Sequence, residues 1–313
     1  MQTLIRPPLR EVRSRIFDSA RWAAYRPRDG DIVIATYPKC GTTWTQRLVS
    51  MLLAGSAAPA PVSGPWYDFR LRGSVEETAA TAEAIEGRRH LKSHLPYDSL
   101  PVYTGVKFIH VARDGRDSAM SFHNHMRGFL PHMRAINNAV SRADPKFGDD
   151  VPETAEDPAA YFKDWLADGG ATGDPGAGYW EMERSYWAAR RDANMLLVHY
   201  ADMKADLAAE VARIAAFLEI ELPVATMGEI AAAGDFAAMR ADGPALMPGI
   251  ENVWDGGTDR FLYKGVNGRW KDVVSATDLA AYDAKVKAEF SPALAAWLEG
   301  GRLVAGDPAG AAD

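Results

Sequence analysis

The chain has 313 residues, of which 47% are hydrophobic and 10% aromatic, and its formal net charge is −7 at pH 7. This length allows one large domain or two ordinary ones, and the composition excludes wholesale disorder because it supplies enough apolar surface for a core. The acidic balance and the lack of basic clusters argue against a protein that binds long nucleic acids or anionic membranes. A small anionic ligand remains compatible with it, since one local site can be basic in an acidic protein.

Cys40 is the only cysteine, so neither an intrachain disulfide nor a multi-cysteine metal site can form. The first residues lack the apolar core of a signal peptide, and no apolar run reaches the ~20 residues of a membrane helix. We therefore expect a cytoplasmic protein without a membrane partner.

Four short runs are typical of β-strands, and most of them are nearly continuous in apolar residues. They are residues 31–37, 89–95, 106–112 and 195–200. Continuous apolar runs are expected of parallel strands that helices cover on both faces.

Helix signals follow three of these runs. The first helix is predicted over Thr42–Leu53, the second after the N-cap candidate Asp114, and the third after Asp202. Strands that alternate with helices predict an α/β fold with a central parallel sheet flanked by helices.

Two segments interrupt this regularity. Residues 126–175 mix Pro, Gly and charged residues, which predicts a long irregular, lid-like excursion, and the Gly/Ala-rich tail 301–313 is expected to fray. No strong linker is visible, so a single domain over 1–313 is favoured.

The loop 37–43 has the composition of an anion site. Its backbone N–H groups and the following helix N-terminus would form a cradle, to which Lys39 adds a charge and two threonines add hydroxyl groups. Lys39 precedes Gly41, whereas in the common nucleoside-triphosphate loop the lysine follows the last glycine. The order of these two residues therefore indicates a different anion.

A second anion site is predicted at the same edge of the sheet. Arg113 ends the third strand and Ser121 lies about two turns into the next helix. An arginine there can bind a phosphate bidentately, although such a residue is more often a structural ion-pair partner. Two sites on one edge indicate a ligand with two separated anionic groups.

The second strand carries Lys92 and His94, which alternation places on the same face. The lysine favours the neutral, basic imidazole. His123 and His125 lie two residues apart on a predicted helix and would point apart, so a metal pair is not expected.

Near the C-terminus, the Gly-rich basic segment 261–272 can close over a phosphate or be an ordinary solvated turn.

These pieces, in this order, resemble the cytosolic sulfotransferases, whose fold is P-loop-like and which move a sulfuryl group from 3′-phosphoadenosine 5′-phosphosulfate (PAPS) to a hydroxyl or amine. The matching stretches cover about residues 30–275. They are "TYPKCGTTW", "LKSHLP", "VARDGRDSAMSFHNH", "VHYADMKAD" and "YKGVNGRWK".

The resemblance implies a role for each matching residue. His94 would be the general base, with Lys39 and Lys92 as catalytic charges, and no metal is needed. The cofactor-binding residues implied are Lys39, Cys40, Gly41, Thr42, Thr43, Trp44, Arg113, Ser121, Tyr200, Thr226, Met227, Lys264 and Gly265. The product would be adenosine 3′,5′-bisphosphate (PAP).

Several positions depart from the family pattern. Cys40 stands where a serine is usual, Tyr263 replaces an arginine before Lys264, and the dimer motif after the signature is degraded, which leaves the oligomeric state open. At a helix N-terminus the Cys40 thiol is expected to be reactive, with a lowered pKa.

The acceptor is the least defined ligand. A small hydrophobic phenol or alcohol is the default, and Trp66, Tyr67 and Phe69 are candidates to line its pocket. Two other functions stay open at this point: an ATP- or GTP-dependent small-molecule kinase, and a nucleotide-binding adaptor without chemistry.

Overall fold

The computed structural model describes residues 2–62, 64–71, 73–171 and 178–313. Its strands are β1 (Leu4–Arg6), β2 (Ile32–Ala35), β3 (His90–Ser93), β4 (Val102–Tyr103), β5 (Lys107–Ala112) and β6 (Met195–His199). Its α-helices are α1 (Thr42–Ala54), α2 (Val75–Ala84), α3 (Gly115–Arg127), α4 (Pro131–Ala143), α5 (Pro158–Ala167), α6 (Tyr179–Ala188), α7 (Tyr200–Ala205), α8 (Leu207–Phe217), α9 (Val224–Ala233), α10 (Phe236–Ala241), α11 (Gly243–Leu246), α12 (Gly257–Phe261), α13 (Ala276–Glu289), α14 (Pro292–Gly300) and α15 (Arg302–Ala305).

A four-stranded parallel sheet in the order β3-β2-β5-β6 forms the centre of the fold. The four predicted strands are confirmed, with somewhat shorter bounds. A short antiparallel pair, β1 with β4, was not expected from the sequence. The predicted α/β class with helices on both faces is therefore confirmed.

Helices cover both faces of the sheet because its strands are apolar on both sides. In β2, Val33 packs into one buried cluster, while Ile32 and Ile34 pack into the other. Successive residues of a strand point to opposite faces, so one short strand serves two cores.

The strand order sets the position of the crevice. The chain passes from β2 to the neighbouring β3 on one side and then to β5 on the other. Ligands of open α/β sheets bind beyond the carboxyl ends of the strands where the order reverses. Residues that follow β2 and β5 therefore face a common cleft.

The prediction that residues 126–175 are irregular is wrong for much of the segment. Helices α4 and α5 occupy it, and each begins with a proline in its first turn, Pro131 and Pro158. Proline is favoured there because the first N–H groups of a helix need no intrahelical acceptor. Residues 172–175 of this segment lie outside the described residues.

The tail is also better ordered than the sequence suggested. The carboxylate of Asp202 accepts hydrogen bonds from the backbone N–H groups of Arg302 and Leu303, and Arg190 donates to the carbonyl groups of Pro308 and Ala311. The expectation of a frayed tail is thus wrong. Within the described ranges, no helix is both long and apolar enough to cross a membrane.

Candidate active site

The loop between β2 and α1 adopts a conformation that turns its backbone into the cleft. Lys39 and Gly41 have positive φ angles of 69° and 117°. A Cβ at Gly41 would also lie 3.3 Å from the ring of Tyr200, so a side chain there would meet both strain and crowding. The loop closes on itself through the Thr36 and Thr42 hydroxyl groups, whose oxygens are 2.5 Å apart.

One cavity of about 420 Å³ gathers most of the predicted site residues. This volume falls within the range of small-ligand sites. The predicted residues on its wall are Lys39, Gly41, Thr42, Thr43, Trp44, Lys92, His94, Arg113, Ser121, Tyr200, Lys264 and Gly265.

Arg113 joins three segments at what we call the cationic end of the cavity, lined by Lys39, Arg113, Ser121 and Lys264. Its guanidinium donates to the carbonyl oxygen of Lys39 at 3.2 Å and to the side-chain oxygen of Asn267 at 2.8 Å. Its carbon centre lies 4.1 Å from the ring centroid of Tyr200. The arginine is therefore held in place by neutral groups, without a direct carboxylate partner in these contacts.

The segment 261–272 closes the cationic end. Gly265 has a φ of 61°, and a Cβ there would lie 2.5 Å from the Phe236 ring, so glycine is required on both counts. Gly268 N–H donates to the Asp117 carboxylate on α3 at 2.7 Å. The segment is thus a wall of the cavity rather than a solvated turn.

Tyr263 stands where the family pattern has an arginine, and a different arginine, Arg269, lies beside it. The Arg269 guanidinium lies 4.7 Å from the Tyr263 ring centroid and lines the cavity. The positive charge at this end therefore does not depend on Lys264 alone.

His94 is held with one ring nitrogen engaged. Its Nδ1 lies 2.6 Å from the carbonyl oxygen of Thr36, so that nitrogen carries the proton and donates. Its backbone N–H donates to the buried Asp68 carboxylate at 3.0 Å. Burial and the charges of Lys92 and Lys39 hold the pKa of His94 well below its usual value. The histidine is therefore neutral, with Nε2 as its unprotonated nitrogen.

Two lysines of the site, Lys39 and Lys92, have lowered pKa values. Burial, with the charges of Lys92 and Arg113, lowers the pKa of Lys39 to about 7. Burial lowers the pKa of Lys92 to about 8, against a raising effect of Asp68. Positive charges gathered in a buried site repel one another, and a bound anion would relieve that repulsion. The arrangement thus fits an anionic ligand.

The other end of the cavity, which we call the aromatic end, is lined by Phe17, Trp66, Phe69, Phe129 and Trp254. Trp66 and Phe69 stack with their centroids 4.2 Å apart, and the Lys92 ammonium lies 3.6 Å from the Trp66 centroid. Tyr67, the third predicted aromatic residue, instead packs in the core against Trp22 and Tyr25.

Three predicted cofactor residues do not place their side chains on the cavity wall. Thr226 and Met227 lie on α9 and are not among the lining residues, although Met227 packs against the buried cluster that contains Trp44 and Tyr200. Cys40 points into the core, where Sγ lies 3.2 Å from the Ser118 hydroxyl, and burial raises its pKa. The predicted reactive thiol is therefore wrong, because the side chain turns away from the helix N-terminus that would have acidified it. A contact from the Cys40 backbone stays a prediction.

Several site residues were missed by sequence reasoning. Asp68 accepts from the indole N–H groups of Trp22 and Trp66 as well as from His94, and Asn267 orients Arg113. No local motif marks these contacts, because, apart from the Trp66–Asp68 bond, they join residues that are distant in sequence. The sequence pattern indicated for His125 only an improbable metal pair with His123, yet His125 lines the cavity.

Comparison with known proteins identifies the family. A model of the sulfotransferase domain matches residues 29–292. This chain belongs to the sulfotransferase family. The predicted family and activity, sulfuryl transfer by an enzyme, are thereby confirmed.

Within the described ranges, no group of three or more His, Cys, Asp or Glu side chains could hold a metal ion.

Relatives of this sulfotransferase include bacterial and mammalian proteins. The glycolipid sulfotransferase of Mycobacterium tuberculosis is 33% identical over 309 residues, covering 93% of this chain and 94% of the relative. Rat sulfotransferase 1A1 is 26% identical over 264 residues, covering 81% of this chain and 82% of the relative.

Solved structures share the fold. Retinol dehydratase in complex with androsterone and PAP superposes with a TM-score of 0.67 at 22% identity, covering 88% of this chain and 87% of that one. Mouse sulfotransferase SULT7A1 complexed with PAP gives 0.63 at 21% identity, covering 88% and 89%. The predicted fold is therefore confirmed.

Proposed function

We propose that this sulfotransferase transfers the sulfuryl group of PAPS to a hydroxyl group on a molecule with an apolar body. The observation that carries the proposal is the position of His94. Its Nδ1 is fixed by Thr36, and its ring lies in the cavity that holds both the cationic and the aromatic ends. A neutral imidazole there can accept a proton from a hydroxyl group that enters from the aromatic end.

The cationic end fits the two anionic groups of the donor. The loop backbone from Lys39 to Thr43 would hold the 5′-phosphosulfate, while Arg113 and Ser121 would bind the 3′-phosphate. Lys264, Gly265 and Arg269 would close over the 3′-phosphate. The clustered, mutually repelling charges of Lys39, Lys92 and Arg113 support this assignment.

The remaining predicted cofactor residues have distinct parts. Trp44 contacts Tyr200 edge-to-face with centroids 5.4 Å apart, and both line the cavity, as a surface for the adenine requires. Thr226 and Met227 would act at most through neighbouring residues.

In the proposed reaction, His94 and Lys39 have separate roles at the sulfuryl group of PAPS. The acceptor oxygen bonds to sulfur, the bond between sulfur and the 5′-phosphate oxygen breaks, and the acceptor proton passes to Nε2 of His94. Lys39, in its protonated form, stabilises the negative charge that grows on the departing phosphate oxygen. General base catalysis of this kind contributes roughly 10²–10⁴-fold.

The acceptor assignment rests on the aromatic end. Phe17, Trp66, Phe69, Phe129 and Trp254 offer apolar surface rather than charge. The relative that is 33% identical is named a glycolipid sulfotransferase, which supports an acceptor with a long apolar part. We propose a small or lipid-like alcohol or phenol of this kind.

A turnover assay with PAPS and a panel of phenols and alkyl alcohols tests the proposal. We expect PAPS-dependent sulfation of at least one apolar acceptor and no requirement for magnesium. A thermal-shift titration with PAP, ATP and GTP, with and without magnesium, runs beside it. Stabilisation by ATP with magnesium, but not by PAP, would favour a kinase, and PAP binding without turnover on any acceptor would favour an adaptor.

A further inference from the structure

His125 lies one helical turn beyond Ser121 on α3, so the two side chains share a face of the helix. Ser121 faces the cationic end and His125 sits among aromatic rings. The centroid of its ring lies 4.7 Å from Trp254, 5.4 Å from Phe129 and 5.7 Å from Phe261. The imidazole is therefore a polar group in an otherwise apolar part of the cavity wall.

Neither ring nitrogen of His125 has a hydrogen-bond partner among the residues that the structure describes. Nδ1 is buried and unsatisfied, which leaves Nε2 as the nitrogen that the cavity can reach. Each of the other six histidines has a ring nitrogen bonded to a protein group. They are His90, His94, His110, His123, His132 and His199. A buried polar group without a partner is destabilising, and a phenylalanine would suit this aromatic box better.

His125 also shares the surroundings of the reaction site. Its ring contacts Phe261, over which the Lys39 ammonium lies at 4.2 Å from the centroid. Burial and the charges of Lys39 and Lys92 hold its pKa well below the usual value. A neutral imidazole offers one donor and one acceptor, and a hydroxyl group can complement either one.

We propose that His125 binds a second hydroxyl group of the acceptor, so that preferred acceptors carry at least one hydroxyl besides the one that is sulfated. The inference rests on the proposed function, since it assigns this end of the cavity to the acceptor. It narrows the acceptor class from alcohols with an apolar body to polyhydroxylated amphiphiles. His94 takes the proton of the reacting hydroxyl, and His125 sets which hydroxyl reaches it.

The experiment compares a matched pair of acceptors, 1-O-octylglycerol and 2-octyloxyethanol, which differ by one hydroxymethyl group. Turnover is measured with PAPS for the wild type and for His125→Phe and His125→Asn. We expect the wild type to favour the diol in kcat/KM by about 10-fold or more. His125→Phe should bring the ratio near one by losing rate on the diol, and His125→Asn should retain part of the preference.

His123→Phe is the matched control, because His123 is on the same helix and bonds the Ala155 carbonyl rather than lining the cavity. It should keep the wild-type ratio. A wild-type ratio near one, a ratio that survives His125→Phe, or sulfation of other alcohols but neither of this pair would overturn the inference. Failure of the proposed function would look different: no PAPS turnover with any acceptor and no stabilisation by PAP.

Discussion

The two ends of the cavity are built in different ways. Besides Arg113 and Ser121, the cationic end takes Lys39 from a continuous loop and Lys264 from a second segment. Both stretches contain residues with positive φ angles, Lys39 and Gly41 in the loop and Gly265 beside Lys264. The aromatic end consists of side chains from far apart in the sequence, among them Phe17, Trp66 and Trp254. A loop that must hold phosphate oxygens constrains its own sequence, whereas an apolar wall accepts many combinations of side chains.

The junction between the two ends of the cavity is held by a buried carboxylate. Asp68 receives the backbone N–H of His94 and the indole N–H of Trp66. One buried carboxylate thus positions the proposed base and the first aromatic residue of the acceptor wall together. The division into two ends predicts that substitutions will separate donor binding from transfer.

The largest expected effect is on His94. His94→Ala should lower turnover by roughly 10²–10⁴-fold, since the variant lacks the proposed base for the acceptor proton, while PAP binding stays within about twofold. Turnover assays and calorimetric titration with PAP measure the two effects separately. His132→Ala is the control, because His132 is exposed and bonds only the Asn252 carbonyl in the described contacts. Equal losses of binding and turnover would show that His94 holds the donor site together.

Lys39→Met should damage both binding and rate, because the proposed mechanism has the same ammonium contact the donor and stabilise its leaving oxygen. We expect turnover to fall by about 10²-fold or more and PAP affinity to fall with it. Lys163→Met, whose side chain is 62% exposed, serves as the control. Unchanged turnover in Lys39→Met would remove this lysine from the mechanism.

Asp68→Asn should weaken the junction without touching either ligand. The new amide N–H₂ would face donors that now meet a carboxylate oxygen, which we expect to cost about 1–3 kcal/mol of unfolding free energy. Misplacement of His94 should lower turnover by about 10-fold, with PAP affinity little changed. Urea unfolding and the two assays above measure this. Full activity in a destabilised variant would limit Asp68 to a role in stability.

Donor binding should be linked to proton uptake. The pKa of Lys39 is about 7 and that of Lys92 about 8 without ligand, so at pH 8 much of Lys39 is neutral. A bound polyanion favours the protonated form and raises these pKa values. PAP affinity should therefore fall as the pH rises from 7 to 9.

Titration calorimetry at pH 8 in two buffers of different ionisation enthalpy checks this. We expect uptake of up to about 1.4 protons for the wild type, about 0.9 at Lys39 and about 0.5 at Lys92, and clearly less for Lys39→Met. Phosphate groups of PAP are already ionised at pH 8, since their second pKa is about 6. Proton release on binding would contradict the charge arrangement of the cationic end.

The smallest expected effect concerns Cys40. Because its thiol is buried and its pKa is raised, thiol reagents should label the folded protein slowly and leave turnover almost unchanged over minutes. Reaction with a chromogenic disulfide before and after denaturation measures this. Rapid labelling that PAP prevents would place the thiol at the cationic end after all.

The sequence was sufficient for the parallel sheet and for much of the cationic end. Apolar runs reveal buried parallel strands. In the loop after the first strand, Lys39 precedes Gly41, and this order indicated an anion other than a nucleoside triphosphate. Arg113 and Lys264 could be predicted as well, because both belong to local motifs. Local sequence and backbone conformation determine all of these features.

The remaining features depend on contacts between distant residues. The ordered tail requires Asp202 to meet residues 302–303, and the direction of the Cys40 side chain depends on core packing around Ser118. His125 acquires its importance from the aromatic rings of Phe129, Trp254 and Phe261, and the last two lie far from it in the sequence. Helices α4 and α5 are a different case, because their starts carry a local signal, Pro131 and Pro158 in the first turn. The polar composition of the segment favoured an irregular structure instead.

A crystal structure of the PAP complex tests the division of the cavity most directly. The account predicts the 5′-phosphate on the backbone N–H groups and side chain of the Lys39–Thr43 loop, and the 3′-phosphate on Arg113 and Ser121. Nε2 of His94 should face the 5′-phosphate from the aromatic end, with that end free of nucleotide. Phosphate groups bound elsewhere, or an adenine among Trp66, Phe129 and Trp254, would contradict it.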